Sequence, residues 1–191
     1  MMVAAGRLIE CAEELPMRGK AVDERFDVLT ASSSLTFFAA SSSQSAYGKT
    51  TELGGYVNAA WNADGSLARE PAPQMHVEFK VESLRTGNDL QDREMWKLID
   101  SKRFPKVAGD LTDFSPSAAR GRYNANGQIT LAGLSRRYTG EFHLEREGDD
   151  LRLEGDLNVD VRDFGLKPLK LLVLSVAPLV RVRLRLVAER A

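Results

Sequence analysis

Cysteine, histidine and tryptophan are nearly absent from this chain: its 191 residues include one cysteine, two histidines and two tryptophans. A single cysteine, Cys11, allows no intramolecular disulfide and no cysteine-based metal cluster. The two histidines, His76 and His143, each fall among charged residues on an alternating segment, with no second histidine or cysteine at ligand spacing. They read as surface residues, and no metal or cofactor is expected. An excess of one charge is also missing. Twenty-six Lys plus Arg stand against 27 Asp plus Glu, a formal net charge of −1, which argues against binding nucleic acid through bulk charge. Long apolar runs are lacking too. The longest, Leu171 to Val180, is about half of the ~20 residues a membrane span needs, and Ser175 and Pro178 interrupt it. Near the start, Arg7, Glu10, Glu13 and Glu14 break the apolar stretch of roughly 7–15 residues that a secretory signal requires. The expectation is a cytoplasmic protein with no integral membrane span.

Catalytic signatures are equally scarce. There is no Gly-x-Ser-x-Gly elbow, no Gly-rich phosphate loop, and no Ser/His/Asp order in a recognisable setting. Asp89, Asp92 and Glu94 crowd the start of a helical segment, where the helix dipole alone favours acidic side chains.

What the chain does have is alternation. Met75, Val77, Phe79 and Val81 alternate with His76, Glu78, Lys80 and Glu82, the pattern of a strand with one dry face. Tyr138, Phe142 and Leu144 alternate with Thr139, Glu141, His143 and Glu145; Leu151, Leu153, Leu157, Val159 and Val161 alternate with Arg152, Glu154, Asp156, Asn158 and Asp160. Val180, Val182, Leu184 and Leu186 alternate with Arg181, Arg183 and Arg185. Further strands are predicted over 25–30, 35–40, 54–62, 106–114, 120–123 and 128–131. Turns are predicted at Asn62-Ala63-Asp64-Gly65 and Asn124-Ala125-Asn126-Gly127, and Ser41 to Ser45 reads as loop or strand edge. Residues 90–101 carry Leu90, Met95, Leu98 and Ile99 at helical spacing, with Asp89 as N-cap and Pro105 beyond. Ala4 to Leu15 predicts a second short helix, stopped by Pro16.

These features predict an all-β fold, a sandwich or, preferably, a closed antiparallel barrel of about eight strands, with one short helix inserted after the third or fourth. Closure removes exposed sheet edges, and a barrel of this size either fills its interior or holds one small ligand. The expected domain spans 25–191, preceded by an extension over 1–24. The interior candidates are Phe37, Met75, Val77, Phe79, Phe142, Leu144, Leu153, Leu157, Phe164 and Leu184. All are apolar, so an open interior would take a hydrophobic small molecule. The segment 166–179 is too apolar for a solvated loop, and reads as a lid over the barrel mouth, a homodimer contact, or one more buried strand. The Arg181/Arg183/Arg185 row reads as the solvated face of an outer strand, or as an attractor for an anionic group.

Ordered motifs carry a resemblance. Ser83-Leu84-Arg85-Thr86-Gly87-Asn88 is followed by Asp92 and Phe104-Pro105, then Gly127-Gln128-Ile129-Thr130-Leu131-Ala132-Gly133-Leu134-Ser135-Arg136, and then Arg162-Asp163-Phe164-Gly165-Leu166. In this order they resemble the YceI-like family, over about Arg25 to the C-terminus. The resemblance implies a lipocalin-like barrel that binds a long isoprenoid or similar amphiphilic chain, often as a dimer, with no established catalytic residues. Two positions depart from the family pattern near its ligand end: Ser32-Ser33 replaces His-Ser, and Gln91 replaces an arginine. The leading expectation is a carrier of an isoprenoid-like or other amphiphilic chain. The alternatives are a packed barrel acting as an interaction or dimerisation module, and a lipid-modifying enzyme using Asp89, Asp92 or Ser32 at the mouth.

Overall fold

In the computed structural model, which describes residues 22–41, 46–119, 121–167, 170–171 and 174–191, alternating segments become strands of one continuous antiparallel sheet. The strands are β1 (Val22–Val28), β2 (Ser34–Ser41), β3 (Ala46–Thr50), β4 (Gly54–Trp61), β5 (Gln74–Lys80), β6 (Lys106–Pro116), β7 (Arg122–Leu131), β8 (Leu134–Glu147), β9 (Asp150–Asp160), β10 (Lys170–Leu171) and β11 (Leu174–Arg190). Helix α1 (Asp89–Ile99) lies between β5 and β6. The expected helix over Ala4 to Leu15, like Cys11, lies outside the described residues.

The sheet runs β1-β4-β5-β6-β7-β8-β9-β11, and β11 pairs back to β1 through Phe26↔Arg190, Asp27↔Glu189 and Val28↔Ala188, which closes an eight-stranded barrel. Every residue on the inner face of such a barrel has its side chain surrounded by other strands, so each strand needs one apolar face. β9 shows the rule: Leu151, Leu153 and Val159 are buried, while Arg152, Glu154, Asp156 and Asn158 are exposed.

β1 and β2 follow each other along β11, Phe26 opposite Arg190 and Leu35 opposite Leu184, with a 3-10 turn (Thr30–Ser32) between them. The turn interrupts the ladder opposite Val187, and Ser33 repairs it: its hydroxyl donates to the Val187 carbonyl (3.2 Å) and accepts from the Val187 N–H (3.0 Å). Ser33 is buried, so those groups have no solvent to turn to. This break lets β1 pair with β4 while β2 forms a hairpin with β3. β3 is the end strand of the sheet, tied across its far side by the Lys49–Arg85 backbone pair (2.8 and 2.9 Å).

Three details differ from expectation. β3 is not among the predicted strands, since the short stretch after Ser41 to Ser45 carries Gly48 and little apolar alternation; α1 therefore follows the fifth strand. The tetrapeptide Asn124–Gly127 is not a turn but the middle of β7, with Asn124 and Asn126 outward and Ala125 buried. Pairing with Asp113 and Thr139 on both flanks, at 3.4 and 2.9 Å, gives Asn126 ladder partners that turn propensity cannot foresee. Finally, β1 begins at Val22, ahead of the expected Arg25 boundary. Glu24 points into the barrel end, its side chain only 7% exposed, where Arg146 (2.6 Å) and Arg190 (3.2 Å) neutralise it.

That ion cluster plugs one end. The Arg146 guanidinium also lies 5.1 Å over the Trp61 ring. Above it, Phe26, Leu53, Leu151, Leu153, Leu186 and Ala188 pack with almost no exposure, forming the solid part of the core. Among the described residues no helix is long and apolar enough to cross a membrane.

Candidate ligand cavity

At the other end the barrel is hollow. A cavity of about 560 Å³ is lined by β2, β3, β5, β6, β7, β8, β9 and β11, and by one face of α1. The hollow arises from residue size. Where the closed end has Phe and Leu facing inward, the inner positions around the cavity include Ala39, Gly109, Ala125, Gly127 and Gly140. Gly109 is the clearest: a Cβ built there would meet no heavy atom within 4 Å. Gly155, by contrast, is covered by the ring of Phe142, which leaves no room for a side chain and so forms the cavity floor on that side.

Helix α1 supplies the remaining wall through Gln91, Met95, Leu98 and Ile99. Asn88, not Asp89, is its N-cap: the Asn88 side chain accepts from the N–H groups of Leu90 (3.0 Å) and Gln91 (3.2 Å). Gly87 at φ +85° makes the preceding turn. Asp92, buried at 2% exposure, accepts from both the N–H and the hydroxyl of Thr86, each at 2.7 Å, with Arg85 at 3.6 Å. Trp96 Nε1–H donates to the Leu84 carbonyl (3.1 Å), and Arg85 stacks 4.5 Å over its ring. The Leu84-Arg85-Thr86-Gly87-Asn88 motif is thus a latch that holds the helix against the barrel.

Of the ten interior candidates, Phe37, Met75, Val77, Phe79, Phe142, Leu157 and Leu184 line the cavity. Leu144, Leu153 and Phe164 do not. Leu144 and Leu153 face inward but lie in the packed closed end. Phe164 sits in the 3-10 turn Val161–Phe164, stacked on Tyr138 with centroids 6.0 Å apart. Alternation tells which side of a strand is dry but not how far along the barrel a residue lies. The helix wall and the small inward residues escaped the sequence reading; a run of Gly and Ala on dry faces was the available signal for empty space.

Apolar residues dominate the lining; its polar members include Thr86 and Gln91 at the helix, Asp110, Gln128, Tyr138 and Thr139 on the strands, and Lys167. The Tyr138 hydroxyl donates to Asp163 (2.8 Å), and burial first, then that carboxylate, pushes its pKa up to about 12. Leu166, Lys167, Val176 and Ala177 belong to the cavity wall, so part of the segment expected as lid, dimer contact or buried strand borders the cavity; Pro168, Leu169, Leu172 and Val173 lie outside the described residues. Of the two departures from the family pattern, Gln91 lines the cavity, while Ser32, at the position of the family's histidine, lies in the 3-10 turn ahead of β2. None of the proposed enzymatic participants lines the cavity: Asp92 is in the latch, Asp89 is exposed, and Ser32 lies in the 3-10 turn. His76 faces outward with Nδ1 2.6 Å from Asp110.

The model of the YceI-like domain matches residues 26–188, which takes in the helix and the barrel except for the start of β1 and the end of β11. The chain belongs to the YceI-like family. The YceI-like barrel described here has solved counterparts at low identity. Burkholderia cenocepacia BcnA is 17% identical, with 85% of this chain and 100% of that one aligned at a TM-score of 0.71. A polyisoprenoid-binding domain from Saccharophagus degradans, implicated in plant cell wall breakdown, is 13% identical over 87% of this chain and 98% of its own, at 0.66. The Campylobacter jejuni YceI protein is 12% identical over 75% and 84%, at 0.60. At these identities the likeness establishes the shared fold. No curated protein matches the chain.

Proposed function

We propose that this YceI-like barrel is a binding protein that carries a hydrophobic chain, isoprenoid-like or otherwise amphiphilic, with its apolar part in the cavity and its polar end at the rim. The observation that carries this reading is the cavity itself: about 560 Å³, in the range of roughly 300–1,000 Å³ typical of small-molecule sites, with predominantly apolar walls. A barrel that acted only through its surface would have no use for an inward glycine such as Gly109, where a larger side chain meets only open space. Each CH₂ moved from water into such walls contributes about 0.8 kcal/mol, so affinity accumulates along a chain without directional contacts. The polyisoprenoid-binding relative supports an isoprenoid as first candidate. Phe37, Met75, Val77, Phe79, Phe142, Leu157 and Leu184 are then the ligand contacts, joined by Met95 and Leu98 of the helix.

The test is native mass spectrometry of protein purified from its own host, followed by organic extraction. A stoichiometric apolar adduct, released by solvent, is the expected result and identifies the molecule. An apo mass, together with no uptake of polyprenol or fatty alcohol by the delipidated protein, overturns the reading.

A further inference from the structure

The outer face of the β2–β3 hairpin carries an exposed aromatic pair, whereas the other large exposed apolar residues among those described, Leu90, Leu134 and Leu179, are aliphatic. Phe38 and Tyr47 point outward from neighbouring strands, 38% and 45% exposed, with ring centroids 5.3 Å apart. Their in-register neighbours Phe37 and Gly48 face inward. Around the two rings stand Lys49, Arg183 and Arg185, which border the same shallow groove. Arg183 shares Asp156 with Arg181, and Arg185 meets Glu154, so cations outnumber carboxylates along this face; Lys49 has no carboxylate partner among the described residues. This happens on a chain whose net charge is −1. Tyr47 also belongs to the wall of the cavity, so the face is continuous with the barrel mouth.

We propose that this face docks on an anionic lipid bilayer. Exposed aromatic pairs seat at headgroup depth, where ring and hydroxyl are both satisfied, and flanking cations meet the negative surface potential. A second copy of the chain fits less well: a two-fold contact here sets Lys49 and Arg183 against the same charges on the partner. The docked orientation brings the mouth to the bilayer, where an apolar chain is taken up or delivered without crossing water. Docking goes beyond the carrier reading and stands or falls separately from what the cavity holds.

The experiment is flotation of the full chain with vesicles of phosphatidylcholine alone, or of phosphatidylcholine mixed with phosphatidylglycerol, at low and high salt. We expect binding to the mixed vesicles only, released by salt. F38S/Y47S should abolish it. K49E should weaken it by more than about fivefold, the effect of one cation near such a surface. K106E, the same charge change on the β6 side of the barrel, should leave it unchanged. Equal binding to neutral vesicles, no binding at low salt, or an equal loss with K106E overturns the proposal. So does a dimer that F38S/Y47S splits while neither form floats, which assigns the face to a second copy. Circular dichroism of each variant separates lost docking from lost folding.

Discussion

Gly109 concentrates the argument about the cavity in one position. It sits in a strand, at a backbone conformation open to any residue, facing space that no neighbour fills. Gly109→Leu should therefore fold at least as stably as the native chain, since it adds apolar contact and removes a flexible residue from a strand. The same side chain occupies the place of about four ligand carbons, at about 0.8 kcal/mol each, so affinity for a bound chain should fall on the order of a hundredfold. Thermal unfolding and titration with a fluorescent polyene read the two effects separately; retained affinity would show that the ligand lies elsewhere. Tyr138 gives a second residue-scale expectation. Its neutral phenol is the form the fold favours, because burial and the Asp163 carboxylate both oppose ionisation, so the folded value of about 12 lies above the ordinary 10. Such a raised value means that the stabilisation is complete below pH about 10 and is lost as pH rises through about 12. Ultraviolet titration should show one tyrosine ionising late, and that component should vanish in Tyr138→Phe. If it remains, the late tyrosine is another one.

At the scale of elements, the helix is the part of the wall most dependent on a few polar contacts. Asp92 binds the Thr86 N–H and hydroxyl, and the Asn88 cap sits between them in sequence. Asp92→Ala takes away the acceptor of the Thr86 N–H and the nearer acceptor of its hydroxyl at a half-buried site, which costs about 1–3 kcal/mol. The helix should loosen before the barrel does. Hydrogen exchange should rise in residues 89–99 while β5 and β6 stay protected, and ligand should leave faster. Uniform exchange across the barrel would mean that the latch serves global stability instead. The elements also show what was legible in the chain. Strict alternation of large apolar and charged residues made β5, β8, β9 and β11 plain, because the period of two maps directly onto the two faces of a sheet. β3 was hidden, since Tyr47-Gly48-Lys49 offers no large apolar residue on its dry side; there Phe37 of β2 covers the glycine. In sequence β7 reads as two strands around a turn because Asn and Gly favour turns locally, whereas pairing on both flanks decides their conformation here.

For the whole molecule, the division into a packed end and a hollow end is the property that links fold to use. The period of two gives every inward residue the same signature, so Leu153 and Leu157, one above the other on β9, were indistinguishable in sequence. Their surroundings differ. Leu153 is 1% exposed among Phe142, Leu144, Leu151 and Leu186, in the cluster closed off by Glu24 and Arg146. Leu157 borders the cavity. Truncating Leu153 to Ala opens a void in close-packed surroundings and should cost about 2–5 kcal/mol. Truncating Leu157 enlarges a space that already exists, so it loses fewer contacts and should cost at the low end of that range or below it. The ligand response should run the other way: Leu157→Ala should shift the preferred chain toward bulkier molecules, while Leu153→Ala should bind the native preference unchanged at temperatures where it is folded. Denaturant unfolding alongside competition among chains of graded length measures both. Equal stability losses with unchanged selectivity would mean that the barrel has one uniform core and that its hollow end does not hold the ligand. The opposite pattern, with stability at one end and selectivity at the other, is what a barrel needs if it is to stay folded while its contents come and go.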